Sequence, residues 1–165
     1  GMGHHPMVRK SSFYDEAARV PLLFSWPGYI VENETDEVHL ASGMDVMPTL
    51  CDYAGVKPPA NMKGVSLGPI LEGGKGASRE SVVSEGNTNT GRMLRTQDFK
   101  YIKYVDDAIE QLFDMKNNPG ETRNLAPDSH YGPTLAAHRR LLGQHEASLD
   151  VPGDIPHAEF WRKRG

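Results

Sequence analysis

Residues Gly3–Lys10, "GHHPMVRK", bring His4, His5, Arg9 and Lys10 together within seven positions, in a stretch bordered by Gly and Pro. Such a cluster suits an anion: Lys10 offers a point charge and an imidazole offers a second donor. It equally suits a solvated basic segment, and local sequence alone leaves both readings open. Other candidates carry less. "GGKGAS" (Gly73–Ser78) lacks the four-residue spacing and the leading strand of a phosphate loop, so it reads as a connector. His138 and His145 lie two turns apart on one helix face, whereas helical metal pairs sit at i, i+4, which predicts packed or surface histidines. Cys51, the single cysteine, stands in "MPTLCDYAGV" beside Leu50 and Ala54 and reads as a small buried packing residue. No Gly-x-Ser-x-Gly pattern or Ser-His-Asp arrangement is apparent. Asp15-Glu16, Asp36-Glu37 and Asp106-Asp107 fall where capping or solvation explains them.

The elements that must position these groups change character along the chain. Ser12 with Asp15 three residues on gives the pattern of a capping box opening a short helix. "VPLLFSW" (Val20–Trp26) is nearly continuously apolar, which predicts a strand covered on both faces and stopped by Pro27-Gly28. A helix is predicted after Ser42 or Asp45, with Pro48 early and Gly55 closing it; a shorter one runs from Ser66 to Gly73-Gly74. Beyond these, "SVVSE", "RMLRT", "FKYIKYV" and "IEQLFDM" are short β-rich runs, and "NNPGE" (Asn117–Glu121) signals a turn. Leu135, His138, Leu142, His145 and Leu149 recur at spacings of three and four, an amphipathic helix laid on a sheet. The expected fold is thus an α/β remnant, a strand plus helices, over residues 1–75. It joins an α+β C-terminal subdomain over 76–165, with a three- to four-stranded antiparallel sheet packed by one long helix.

Composition narrows the partners. With 18 basic and 22 acidic residues among 165, net charge is −4, too balanced to favour nucleic acid or an acidic membrane surface. No apolar run approaches the roughly 20 residues of a membrane helix. "GMGHHPMVRK" lacks the apolar region of a secretory signal, which leaves localisation open.

Four stretches, in order, resemble the C-terminal third of the sulfatase family of the alkaline-phosphatase-like superfamily. They are "HPMVRKSSFYDEAARVPLLFSWPG", "ASGMDVMPTLCDYAGVKPPANMKGVSLGPIL", "RMLRTQDFKYIKYV" and "QLFDMKNNPGETRNLA". The resemblance implies that the formylglycine nucleophile (Cys/Ser-x-Pro-x-Arg) and the calcium ligands lie upstream. Cys51, followed by "DYAG", does not match the nucleophile motif. No catalytic residue, metal ligand or cofactor is therefore expected in this chain, and calcium is expected only in a full-length member. Lys10 matches the family lysine that contacts the sulfate oxygens, and His5 matches the histidine of an "HG…K" pattern, with Pro6 replacing the Gly. Arg19 and Asp45 match positions that act as an ion pair or cap. The hairpin around Asn87–Arg95 corresponds to the pocket rim, so Asn87, Asn89 and Arg92 are candidate substrate contacts. The implied substrate is a sulfate ester in the intact enzyme, with turnover absent from this chain alone. Self-association, or a missing N-terminal partner, is expected to cover the apolar strand. A related phosphonate or phosphate ester hydrolase, and a non-catalytic binding or assembly module, are the alternative readings.

Overall fold

In "FKYIKY" every second residue faces the same side, and both sides are apolar enough to be covered. The computed structural model, which describes residues 12–76, 79–86, 91–105 and 107–149, builds a four-stranded antiparallel sheet on that pattern. Its strands are β1 (Val82–Glu85), β2 (Gly91–Arg95), β3 (Phe99–Tyr104) and β4 (Glu110–Asp114), in the spatial order β1-β2-β3-β4. The register pairs Met93 with Ile102, Leu94 with Tyr101, Tyr101 with Leu112 and Lys100 with Phe113. Each face consequently carries its own apolar cluster.

One cluster joins Leu94, Tyr101 and Leu112 to Leu125 and to Leu135 and Leu142 of a long helix. That helix, Gly132–Ala147, packs with Leu135, His138 and Leu142 buried, the first three positions of the expected stripe; His145 and Leu149 are half-buried. The other cluster joins Met93, Ile102, Phe113 and Met115 to Phe13, which arrives from a segment about 80 positions earlier in the chain. The sheet is thus a central layer, with the long helix on one face and the segment around Phe13 on the other.

The described chain divides into two compact units, Pro21–Val82 and the remainder on either side of it. In the first unit a single 3-10 turn, Gly43–Asp45, leads into a helix, Val46–Tyr53, and a shorter helix spans Gly68–Leu71. Ser42 accepts from the Met44 amide while Asp45 accepts from the Ser42 amide, the reciprocal pattern of a capping box. Gly55, at φ 64°, ends the helix in the left-handed conformation that glycine adopts without a Cβ penalty. In chain order the helices are α1 (Asp15–Ala18), α2 (Val46–Tyr53), α3 (Gly68–Leu71) and α4 (Gly132–Ala147).

Three expectations are corrected. No strand forms over Val20–Trp26, and the residues of that stretch stand largely exposed, Leu23 at 86%. A strand needs a neighbour to take its N–H and C=O groups, and no other described strand runs alongside these residues. The start of α1 is not capped by Ser12. Its N-cap is Tyr14, without a side-chain bond, and the Asp15 amide donates instead to Glu121 Oε2 at 2.7 Å. Cys51 is half-buried rather than enclosed.

Candidate functional site

Of the five residues singled out for substrate contact, His5, Lys10, Asn87 and Asn89 lie outside the described residues. Arg92 is described, on β2. Its guanidinium donates from Nε to Glu85 Oε1 at 3.1 Å and from Nη1 to Glu146 Oε1 at 2.7 Å. Both carboxylates are about half exposed while the Arg92 side chain is 12% exposed, so Arg92, on the interior strand β2, bridges β1, β2 and α4. Among the described residues, no group of three His, Cys, Asp or Glu side chains converges to hold a metal ion.

The segment that follows Lys10 is held by a group that the sequence did not single out. The Lys100 side chain is 1% exposed and sits on the same face of β3 as Ile102. It donates to the Phe13 carbonyl at 3.2 Å and to Asp15 Oδ1, and it lies 2.8 Å from Glu121 Oε1. That last approach is an ion pair whose angle is not that of a hydrogen bond. The second Glu121 oxygen takes the Asp15 amide. Arg95 stands within electrostatic reach of Asp15 and Glu121, and burial pulls its guanidinium below the usual arginine range. The available signal was the period of two in "FKYIKY", which places Lys100 among apolar neighbours. A lysine is almost never fully buried unless paired.

A second polar centre organises Pro21–Val82. Asp45 is fully buried; its Oδ1 accepts from the Val65 amide at 2.9 Å and from Arg79 Nη2 at 2.5 Å, and its Oδ2 takes the Ser42 amide. Thr49 Oγ1 donates to the Asp45 carbonyl and accepts from the Leu67 amide. Asp45 is therefore both a cap and an ion-pair member. The Arg19 backbone amide closes α1 onto the Asp15 carbonyl. An open cleft of about 530 Å³ in the same unit is bordered by Cys51, Asp52, Lys57 and Ser66, and there Ser66 Oγ donates to Asp52 Oδ2.

In the sheet unit His138 is enclosed: Nδ1 donates to the Thr134 carbonyl at 2.8 Å and Nε2 meets Thr96 Oγ1 at 3.0 Å. Both ring nitrogens are thereby engaged, which makes His138 a packed histidine, as its spacing predicted. Tyr101 donates to Glu110 Oε1, which also pairs with Arg139. Burial, reinforced by that carboxylate, pushes the Tyr101 hydroxyl well above the usual tyrosine range. The Arg139 hydrogen bond holds Glu110 below the ordinary carboxylate range.

Residues 3–147 match the family model described as N-sulphoglucosamine sulphohydrolase, C-terminal. A Delta 4,5-hexuronate-2-O-sulfatase of Bacteroides thetaiotaomicron is 43% identical over 154 residues, covering 88% of this chain and 32% of that protein. A solved structure described as a 2-O GAG sulfatase superposes with a TM-score of 0.75 at 39% identity, covering 87% of this chain and 34% of the other. A phosphonate monoester hydrolase of Agrobacterium radiobacter superposes with a TM-score of 0.53 at 26% identity, over 62% of this chain and 24% of that one. The chain therefore spans about a third of the length of the curated relative it matches. The sheet, the long helix and the four collinear stretches lead to one assignment: the chain belongs to the sulfatase family, within its N-sulphoglucosamine sulphohydrolase C-terminal domain.

Proposed function

We propose that this chain forms the C-terminal part of a hydrolase of carbohydrate sulfate esters. In this reading Lys10 holds sulfate oxygens, with His5 beside it, and Asn87, Asn89 and Arg92 stand at the rim toward the sugar. The observation that carries it is the match over residues 3–147, which takes in Lys10, together with a curated relative that acts on a sulfated hexuronate. A lysine ammonium stabilises charge that grows on sulfate oxygens in the transition state; one such donor contributes about 3 kcal/mol in comparable sites. Nucleophile and calcium belong, in this reading, to the remaining two-thirds of a full-length member.

The test is a chimera in which residues 3–147 of this chain replace the matching third of the hexuronate sulfatase. The expected result is release of sulfate from a 2-O-sulfated unsaturated uronide, reduced at least 100-fold by Lys10→Ala. A folded chimera indifferent to Lys10→Ala overturns the reading. A chimera that prefers a phosphonate monoester favours the related hydrolase, a second reading supported by the superposition on the phosphonate enzyme. The purified chain alone, given an aryl sulfate and calcium, is expected to show background turnover.

The same proposal accounts for the exposed apolar residues at Val20, Leu22, Leu23 and Trp26. In a full-length member they meet the rest of the α/β domain; in the isolated chain they close by self-association, because large bare apolar patches are unfavourable in water. Sedimentation of the chain as a monomer at high concentration speaks against it.

A further inference from the structure

We propose that the outer face of α2, formed by Met44, Met47, Leu50 and Ala54, is an interface that receives the remaining two-thirds of a full-length sulfatase chain. The inference rests on reading this chain as the C-terminal part of such a protein, and it adds the surface through which that part docks.

α2 is amphipathic in the reverse of the usual sense. Met47, Leu50, Cys51 and its C-cap Ala54 stand at i, i+3, i+4 and i+7, which puts them on one stripe of the helix. Such a stripe ordinarily faces a core. Here Met47 is 56% and Leu50 54% exposed, Ala54 is exposed, and Cys51 is half-buried. Met44, one turn before Met47, is exposed as well. The opposite side carries Asp45 and Thr49, and that side is the buried one, accepting the Val65 and Leu67 amides. It is also filled, since a Cβ on Gly64 would stand 2.0 Å from the Met44 carbonyl oxygen. Turning the helix to bury its apolar stripe would break the Asp45 and Thr49 bonds. The polar side therefore holds the apolar side outward, an arrangement that is unfavourable in water until something covers it.

Two observations identify the cover. The solved 2-O GAG sulfatase superposes on 87% of this chain but only 34% of its own, so the other two-thirds of that polypeptide is accommodated by a part folded like this one. Of the 13 large exposed hydrophobic residues among those described, 10 lie between Leu22 and Val56. The sheet unit, by contrast, already has an apolar cluster on each face. The unaccommodated apolar surface is thus concentrated in Pro21–Val82, and α2 presents it on a regular element. The receiving surface must itself be apolar opposite Met47 and Leu50, whose side chains offer a charged or polar group no useful hydrogen bond.

Cys51, on the stripe itself, reports its cover. Alkylation of Cys51 by N-ethylmaleimide, followed peptide by peptide in a mass spectrometer, is compared between the dilute 165-residue chain and the chimera carrying residues 3–147. Labelling is expected to be about 30-fold slower in the chimera, and Leu50→Asp is expected to return it to near the rate of the chain. In the isolated chain Leu50→Asp is expected to leave the urea midpoint unchanged, because Leu50 is exposed there. Equal labelling of chain and chimera overturns the interface, and so does a folded Leu50→Asp chimera that keeps the protection. A chimera that fails to fold overturns it too, since fitted surfaces are what the interface requires. Protection in the isolated chain that rises with concentration to the level of the chimera assigns the face to a second copy, which also overturns it. The comparison of the unsubstituted proteins decides the matter should Leu50→Asp unfold the chimera. A chimera with protected Cys51 that releases no sulfate fells the sulfate-ester reading and leaves the interface standing. An active chimera whose Cys51 labels as fast as in the chain does the reverse.

Discussion

The two units solve the same problem with opposite materials. The sheet unit buries apolar residues on both faces of a four-stranded sheet, with Leu94, Tyr101, Leu112 and Leu142 on one side and Phe13, Met93, Ile102 and Phe113 on the other. In Pro21–Val82, Leu67 and Pro48 are the buried apolar side chains among the described residues. That unit's order comes from Asp45, which gathers the Ser42 amide, the Val65 amide and Arg79 from up to 34 residues away. A buried carboxylate is tolerable when fully bonded and costly when not. The lesson is that one unit's cohesion is distributed over many small dispersion contacts, while the other's is concentrated in one polar centre.

The strongest way to break that contrast is Asp45→Ala. It strands two amide donors and the guanidinium of Arg79, which is expected to cost about 4 kcal/mol. The loss should appear as early exchange or proteolysis confined to residues 21–82, with the sheet's amides unaffected; a uniform loss across both units contradicts the contrast. Leu142→Ala in the other unit is expected to cost about 3 kcal/mol, through lost transfer energy and a cavity against Leu94 and Tyr101. The effect is smaller in proportion because the neighbouring contacts persist, and a urea melt measures it.

Alkaline titration sharpens the comparison further. Tyr101 stays neutral in the fold to well above its ordinary range, because burial and the Glu110 carboxylate both oppose the phenolate. The stability it confers is complete below the unfolded tyrosine value, near pH 10, and is lost as pH rises above it and the unfolded chain releases the proton. Wild type should therefore lose stability more steeply than Tyr101→Phe above about pH 10. Far-ultraviolet circular dichroism melts across that range read the difference; parallel curves refute it. The smallest effect is expected from Arg139→Ala. Its pair with Glu110 is exposed on the arginine side, and such surface pairs contribute about 0.5 kcal/mol.

Much of the sheet unit was legible because its signals are local. Period-two runs, an Asn-Asn-Pro-Gly turn and a three-four stripe each fix one element without reference to any other. Likewise Ser42 and Asp45, three residues apart, were legible as alternative caps of the helix that follows, and the structure joins them in one reciprocal capping box. Ser12 and Asp15 share that spacing and form none, since a carboxylate more than 100 positions away takes the amide first. The apolar run at Val20 to Trp26 misled for a related reason. Composition records that a stretch wants cover, whereas only a neighbouring strand can supply it.

The sequence by itself determined that Lys10 stands in sulfatase-like order before Tyr14 and Asp15, that four β-rich runs follow, and that a long amphipathic helix comes next. Those are properties of spacing, and spacing is written in the chain. Tertiary structure alone decided that Lys100 meets Asp15 across 85 positions and that Glu121 closes on the same segment. Such pairings have no local signature: two charges attract through whatever geometry the packed sheet and its turns bring about, and burial then makes the meeting obligatory.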